Sequence, residues 1–203
     1  MAKANIKILE SAAEIQEGVN KALAVEINKR LQKAAGNFKA RIKPFIESAL
    51  FSSPEISSLS GGTLAADFGL ESDPSSAIVR AVVDSMEVKV VKATSKNMGG
   101  FELVMQPSNF ANLLGLSVAQ QPINGGSLPW LQWLLTAGDS IIIRNFGVER
   151  GPYGRTGKAR MSGDFAPFKV DGRYSGTADN NFITRAVDKV KKQIEDQMKS
   201  VLY

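Results

Sequence analysis

EVKVVKATSKNMGGFELVMQ, running from Glu87 to Gln106, is where the hydrophobic period of this chain changes. Upstream, apolar side chains recur every three or four positions. Inside the stretch they alternate: Val88, Val90 and then Lys92 fall on one face, with Lys89, Val91 and Ala93 on the other. That period of two is the signature of a strand. Asn97-Met98-Gly99-Gly100 carries turn chemistry, and Phe101–Gln106 (FELVMQ) reads as the returning strand. Residues 87–106 are therefore expected to form a β-hairpin between helical segments.

Working outward toward the N-terminus, Asp73-Pro74 offers an N-cap followed by proline at the first helical position. Ile78, Val79, Val82, Val83 and Met86 fit the short helix that follows. Before it, SSPEISSLSGG (52–62) is polar and turn-rich and reads as a loop. Earlier still, Ile15, Val19, Leu23, Ile27, Leu31, Ala35, Phe38, Ile42 and Ile46 make one helical stripe, with Lys and Glu on the other face. Gly36-Asn37 and Pro44 are expected break or kink points.

Working outward in the other direction, Ser108 is placed to cap a turn containing Phe110, Leu113 and Leu114, stopped by Gly115. Pro129 opens PWLQWLLTAG, with Trp130, Trp133 and Leu134 on one side. SIIIRNF (140–146) is the strongest strand candidate because β-branched residues dominate it, and FAPFKV (165–170) is another. Phe182, Ile183, Ala186, Val187, Val190, Ile194, Met198 and Val201 stripe a final helix, which Thr177 or Asp179 would cap.

The expected architecture is α+β. A long N-terminal helix and a C-terminal helix pack on a small, largely antiparallel β-sheet carrying a long basic loop. Residues 1–203 form a single domain, with an N-terminal helical segment (1–52), a helix and sheet core (73–175) containing loop 147–164, and the last helix (179–203). At 43% apolar residues the chain can bury a real core. No apolar run approaches the ~18–20 residues of a membrane span, and MAKANIKILE has no apolar stretch behind its charges to read as a secretory signal.

Composition narrows function more sharply. The chain has no cysteine and no histidine. Ser-His-Asp and Cys-His catalysis and every Cys/His zinc site are therefore excluded. Carboxylate, Ser-Lys or Mg²⁺ chemistry would each need its own motif, and no spacing of the 20 acids singles out an acid and base pair. Charge is segregated instead. Residues 1–50 carry nine Lys/Arg against five acids, residues 51–143 four against eight, and residues 144–173 seven against three. An acidic middle beside a basic focus suits either a nucleic acid or head-to-tail contact between copies.

The basic focus contains RGPYGRTGKARM (Arg150–Met161), which invites a phosphate-loop reading. That reading needs G-x-x-x-x-G-K-[ST] between a strand and a helix. Counting back from Gly157-Lys158, the first glycine position holds Pro152, which has no N–H, and Ala159 stands where a hydroxyl is required. The first two glycines are also three apart, against two in G-x-G-x-x-G. Glycines allowing a long turn fit better, with the charge either solvated or forming a contact surface. Trp130 and Trp133, at helical spacing beside leucines, read as core and not as base-stacking groups. Asp179-Asn180-Asn181 reads as a helix cap and not as a calcium loop, since it lacks alternating acids.

Three stretches carry a resemblance: Gly154–Met161 (GRTGKARM), Phe168-Lys169-Val170-Asp171, and Gly176–Ala186 (GTADNNFITRA), behind a long N-terminal helix and SPEISSLSGGTLAADFGL. Together they resemble the small virion proteins of tailed bacteriophages in the tail-completion and head–tail joining (neck) group. That group has a motif like S-R-T-G-x-A-x-M on a turn, then an aromatic-x-V-P segment, then G-T-x-x-D-N-[FW]-[IL]-T-R-A. Glycine at 154 and aspartate at 171 depart from this pattern. The order of elements matches over nearly the whole chain, and the specific matches lie in its last third.

The resemblance implies no enzymatic activity, cofactor or metal. It implies a homo-oligomeric ring of six or twelve copies between portal-bound adaptor and tail tube, synthesised in the host cytoplasm and residing in the virion, with no membrane partner. Neighbouring neck, adaptor or tail proteins are the implied partners, with genomic DNA in the channel as a further one. Assembly-interface candidates are Arg150, Tyr153, Arg155, Thr156, Lys158 and Arg160 on the basic loop, and Asp179, Asn180, Asn181 and Arg185 where the last helix begins. Loop 147–164 is expected to be extended and to order on contact. The alternative is a DNA-associated binding protein using the basic segment 144–173, although no helix-turn-helix, zinc or RNA-recognition signature accompanies it. An enzyme of unusual carboxylate or Ser-Lys chemistry comes third.

Overall fold

A computed structural model describes residues 10–107, 109–123, 126–138, 140–163 and 166–202. The fold is α+β, and its longest element is α1 (Ala12–Phe51). A capping box starts it: the Ser11 hydroxyl accepts from Glu14 N–H, and Glu14 Oε2 accepts from Ser11 N–H at 2.7 Å. The helix runs unbroken through Gly36 and Pro44, against expectation. Glycine and proline together cost it about 4 kcal/mol. Phe38, Ile42, Ile46 and Leu50 are all buried around them. At roughly 2 kcal/mol per buried side chain, packing outweighs propensity.

The segment 52–62, expected as a loop, contributes helix instead. Ser53 caps α2 (Pro54–Leu59) by accepting from Ile56 N–H, Pro54 sits in its first turn, and Ile56 and Leu59 are buried. A short α3 (Thr63–Asp67) follows. α4 (Ser75–Ser85) begins where Asp73 Oδ1 accepts from Ser75 N–H at 2.8 Å, one residue after the expected start.

The expected hairpin is present. β1 (Glu87–Val91) pairs antiparallel with β2 (Gly100–Val104), setting Val88 opposite Leu103 and Val90 opposite Phe101. Phe101 stacks on Phe38 of α1 with ring centroids 4.8 Å apart. The exit of β1 is tied to α1 by one amide, Asn28, which accepts from Ala93 N–H and donates to Ala93 C=O.

The rest is shorter than its sequence patterns suggested. After α5 (Ala111–Leu114) and a 3-10 turn (Ser117–Ala119), β3 (Gln121–Ile123) pairs with β4 (Gly126–Leu128). The Ser108 cap lies outside the described residues. In α6 (Trp130–Thr136), Trp130 is fully buried and donates to Val118 C=O, and Trp133 is half-buried against the core. The strand expected over 140–146 is only β5 (Ile141–Ile143), paired with β8 (Phe168–Lys169). Loop 147–164 is not one extended loop: β6 (Gly147–Arg150) and β7 (Ala159–Ser162) form an antiparallel hairpin within it. Among the described residues the antiparallel sheet is thus distributed over four two-stranded ladders.

α7 (Phe182–Leu202) closes the fold on α1. Arg185 bonds Glu55, just past the end of α1, while Ser200 bonds Arg41, so the two helices run antiparallel. One continuous core joins α1, α2, α4, α6 and α7, with Phe68 between Trp130 and Phe168. The first turns of α1 extend past this packing, and residues 10–19 are all exposed. No helix among the described residues is long and apolar enough to cross a membrane.

Candidate assembly surfaces

The glycine-rich stretch forms the far end of the β6–β7 hairpin, so it connects strand to strand and opens no helix. Its amides turn inward: Gly151 N–H donates to Lys158 C=O, and Gly157 N–H to Gly154 C=O. Gly154 has φ +69°, and a Cβ there would overlap the carbonyl oxygen of Ala159. The departure from the expected serine at this position is therefore forced by the turn itself.

The hairpin cations bind their own chain first. Arg150 makes two 2.8 Å bonds to the carboxylate of Asp67, the last residue of α3, whose side chain is 5% exposed. Hydrogen bonding to Asp67 raises the Arg150 pKa further above its ordinary value. Arg155 pairs with Glu71 at 2.9 Å. Arg160 pairs with Glu149 directly across the ladder at 2.6 Å and lies over the Tyr153 ring at 4.7 Å. Lys158 reaches Leu70 C=O at 3.4 Å, and Thr156 is half-buried near the tip. Asp67 and Glu71 belong to the acidic middle of the sequence. The two charge blocks thus meet inside one molecule.

The second set of candidates, around Gly176–Ala186, is built as a structural joint. Asn181, fully buried, caps α7, so the cap falls within the expected Asp179-Asn180-Asn181 segment, at its last residue and not at Thr177 or Asp179. Its Oδ1 accepts from Ile183 N–H and Thr184 N–H, its amide donates to Thr177 C=O and Ala178 C=O, and Thr184 Oγ1 accepts from Asn181 N–H. Thr177 closes the preceding turn by accepting from Asn180 N–H. Asp179 is exposed. A Cβ on Gly176 would stand 2.6 Å from the Leu134 carbonyl and 2.9 Å from Asn181 Cβ, so only glycine lets this loop lie on α6. Arg185 donates to Asn180 Oδ1 at 2.9 Å and to Glu55 at 2.7 Å.

Asp171 occupies the position where proline was expected, and it closes the turn by other means. Its carboxylate accepts from the Arg173 guanidinium and from Arg173 N–H. Those bonds, the side-chain one foremost, lower its pKa to about 2. A depressed carboxylate stabilises the fold above its unfolded pKa of ~3.9 and loses that contribution as pH falls through about 2. Asp171→Asn is therefore expected to be less stable than the parent at pH 7. The difference should shrink between pH 4 and pH 2 in urea melts, and a pH-independent difference would exclude this charge effect.

Sequence reasoning missed a third group. Ile15, Val19 and Leu23 are 44%, 56% and 48% exposed, although their spacing continues into the buried stripe of α1. Spacing carries no signal for this, because Ala34, Phe38, Ile42, Ile46 and Leu50 also step by four and are all buried. Residues 10–19 are exposed on every face, since the first turns of α1 extend past the packing that buries the rest of the helix. A separate exposed apolar set, Ile141, Phe146 and Met161, lies on and beside β5–β7.

Among the described residues no group of three or more carboxylates is placed to hold a metal ion. No protein-family model, no curated protein and no solved structure matches this chain.

Proposed function

We propose that this chain is a non-enzymatic structural protein of a tailed-bacteriophage virion, forming a homo-oligomeric ring at the head–tail junction. The observation that carries the assembly reading is the pair of uncovered apolar sets on different elements, Ile15–Val19–Leu23 on α1 and Ile141–Phe146–Met161 on the β5–β7 side. Large apolar side chains left 43–56% exposed in two groups leave surface that a partner would cover. Two dissimilar surfaces on one chain suit a heterologous contact, which closes into a ring when the rotation allows it. Placement at the neck rests on the resemblance in Gly154–Met161 and Gly176–Ala186.

The competing reading, duplex DNA bound by residues 144–173, draws less support. Arg150, Arg155, Arg160 and Arg173 already hold carboxylates of the same chain, and a phosphate would have to displace them.

Native mass spectrometry over a concentration series should give closed oligomers of one stoichiometry, six or twelve copies. Replacing Arg155 and Lys158 by Glu should leave the monomer folded, because the exposed Arg155–Glu71 pair is worth at most ~1 kcal/mol, yet should deplete the oligomer. Unchanged oligomers from that variant would remove these residues from assembly. A monomer with DNA affinity falling ~10³-fold or more between 50 and 200 mM salt would transfer the case to the nucleic acid reading.

A further inference from the structure

We propose that the β6–β7 hairpin is a flap: ion pairs strap it across an apolar cleft, and it lifts as a unit while the helical core stays closed. The device belongs to the single chain, so it stands or falls separately from the ring reading.

The hairpin does not sit flush on the body of the fold. A cleft of about 260 Å³ lies between them, with Phe68, Leu128, Ile143 and Phe168 on the body side and Val148 and Met161 on the hairpin side. Val148 and Met161 stand directly opposite each other in the ladder and so share a face. Of that pair Val148 packs against the core, while Met161 is left 43% exposed. Hydrophobic attraction scales with the apolar area buried, so it holds this hairpin only weakly.

Charged contacts do more of the holding. Arg150, the last residue of β6, reaches the body through its two 2.8 Å bonds to Asp67. Further along, Arg155 pairs with Glu71 at 2.9 Å, and Lys158 donates to Leu70 C=O at 3.4 Å. All three anchors fall within residues 67–71, at the end of α3 and just after it. A second set of contacts is internal to the hairpin: the ladder itself, the Arg160–Glu149 pair and Arg160 over the Tyr153 ring. Breaking the straps leaves that set intact. At the base, Phe168 N–H donates to Phe146 C=O and fixes the chain just before β6. The joint therefore falls between Phe146 and Gly147, with Gly163 following β7. A segment tied inwardly by one set of bonds and outwardly by a few exposed ones is the kind that opens locally.

The straps also differ in kind. The Asp67 side chain is 5% exposed, so its pair with Arg150 is little screened by salt, whereas Arg155 and Glu71 are both more than half exposed. Salt should free the tip before the base. Once lifted, a two-stranded hairpin is marginal in water, and its amides exchange with solvent.

Hydrogen exchange read by mass spectrometry on the full chain tests this. Amides of 148–150 and 159–162 should exchange roughly tenfold faster or more than those of Phe38–Leu50 in α1. Raising salt from about 50 to about 500 mM, or Glu71→Gln, should speed exchange over 151–158 and leave α1 unchanged. Asp67→Asn strands no buried charge, because the Arg150 side chain it releases is already half exposed. That variant should speed the whole hairpin roughly tenfold, again with α1 unchanged. Hairpin amides exchanging at the α1 rate would mean that the hairpin opens only when the chain unfolds, and would overturn the flap. Asp67→Asn speeding hairpin and α1 alike, or neither, would show that the Arg150–Asp67 pair is no latch and would end the proposal as well. Should Asp67→Asn fail to fold, Glu71→Gln decides, since it alters an exposed side chain: an unchanged tip would overturn the straps.

Discussion

Asn181→Ala should lower the stability of the monomer by about 3 kcal/mol, estimated from the ~1 kcal/mol of a lost N-cap plus the desolvation cost of buried groups left unpaired. For a chain of this size that is a fall in melting temperature of roughly 10 °C. The side chain is fully buried and every hydrogen-bonding valence it offers is used: two N–H donors on the carbonyls of Thr177 and Ala178, and one oxygen under the amides of Ile183 and Thr184. Alanine removes all four bonds at once and leaves the Ile183 amide buried. Asn181→Asp separates the two halves of the side chain. It keeps the capping oxygen but turns a carboxylate toward two carbonyl oxygens, so it should also be destabilised at pH 7 and should recover as acid protonates it. Urea melts of the three proteins at pH 7 and pH 4 read both effects. Asn181→Ala melting within 2 °C of the parent would sink the claim that this residue anchors the joint.

Why such a residue was visible only in part shows where sequence reasoning ran out. Local period was enough for α4, α7 and the β1–β2 hairpin, because each carries a run of apolar residues at one spacing. It failed at α2, a six-residue helix inside a stretch rich in serine and ending in two glycines, and gave no signal for the five-residue α3; both pack apolar residues into the core, Ile56 and Leu59 from α2 and Leu64 from α3. It failed again at β6–β7. Each strand is four residues long, and the strand character of Val148 emerges only opposite Met161. The cap was placed within four residues, but choosing among Thr177, Asp179 and Asn181 depends on Gly176 settling against α6, a contact no local window contains. The charge blocks were legible as blocks. That Arg150 meets Asp67 across 83 residues of sequence was not.

Arg185 should prove as costly to remove as Asn181. Glu55, in the first turn of α2, is 1% exposed, and its carboxylate is held by the Arg185 guanidinium at 2.7 Å. Pairing two charges in a protein interior gains little over an apolar pair, because desolvation offsets the attraction; removing one partner alone leaves a buried charge and typically costs ~3–5 kcal/mol. The Arg185 side chain is 36% exposed, so water reaches part of this site and the lower end, about 3 kcal/mol, is expected for Arg185→Leu. Glu55→Gln should cost less, because the arginine left behind can turn to solvent. The double variant should be no less stable than Arg185→Leu alone, giving a coupling of ~1–3 kcal/mol in the cycle. This outcome bears on assembly as well as on stability. Arg185 lies in the GTADNNFITRA segment, and its guanidinium donates to Asn180 and Glu55 of its own chain. If the segment acts by locking α7 to α2, Arg185→Leu will unfold at lower urea as a monomer, and any loss of oligomer will track that loss of stability. If instead Arg185 acts on a neighbouring copy, the monomer will keep its midpoint while the oligomer disappears. The urea midpoint of the monomer separates the two, and the inward geometry of the side chain favours the first.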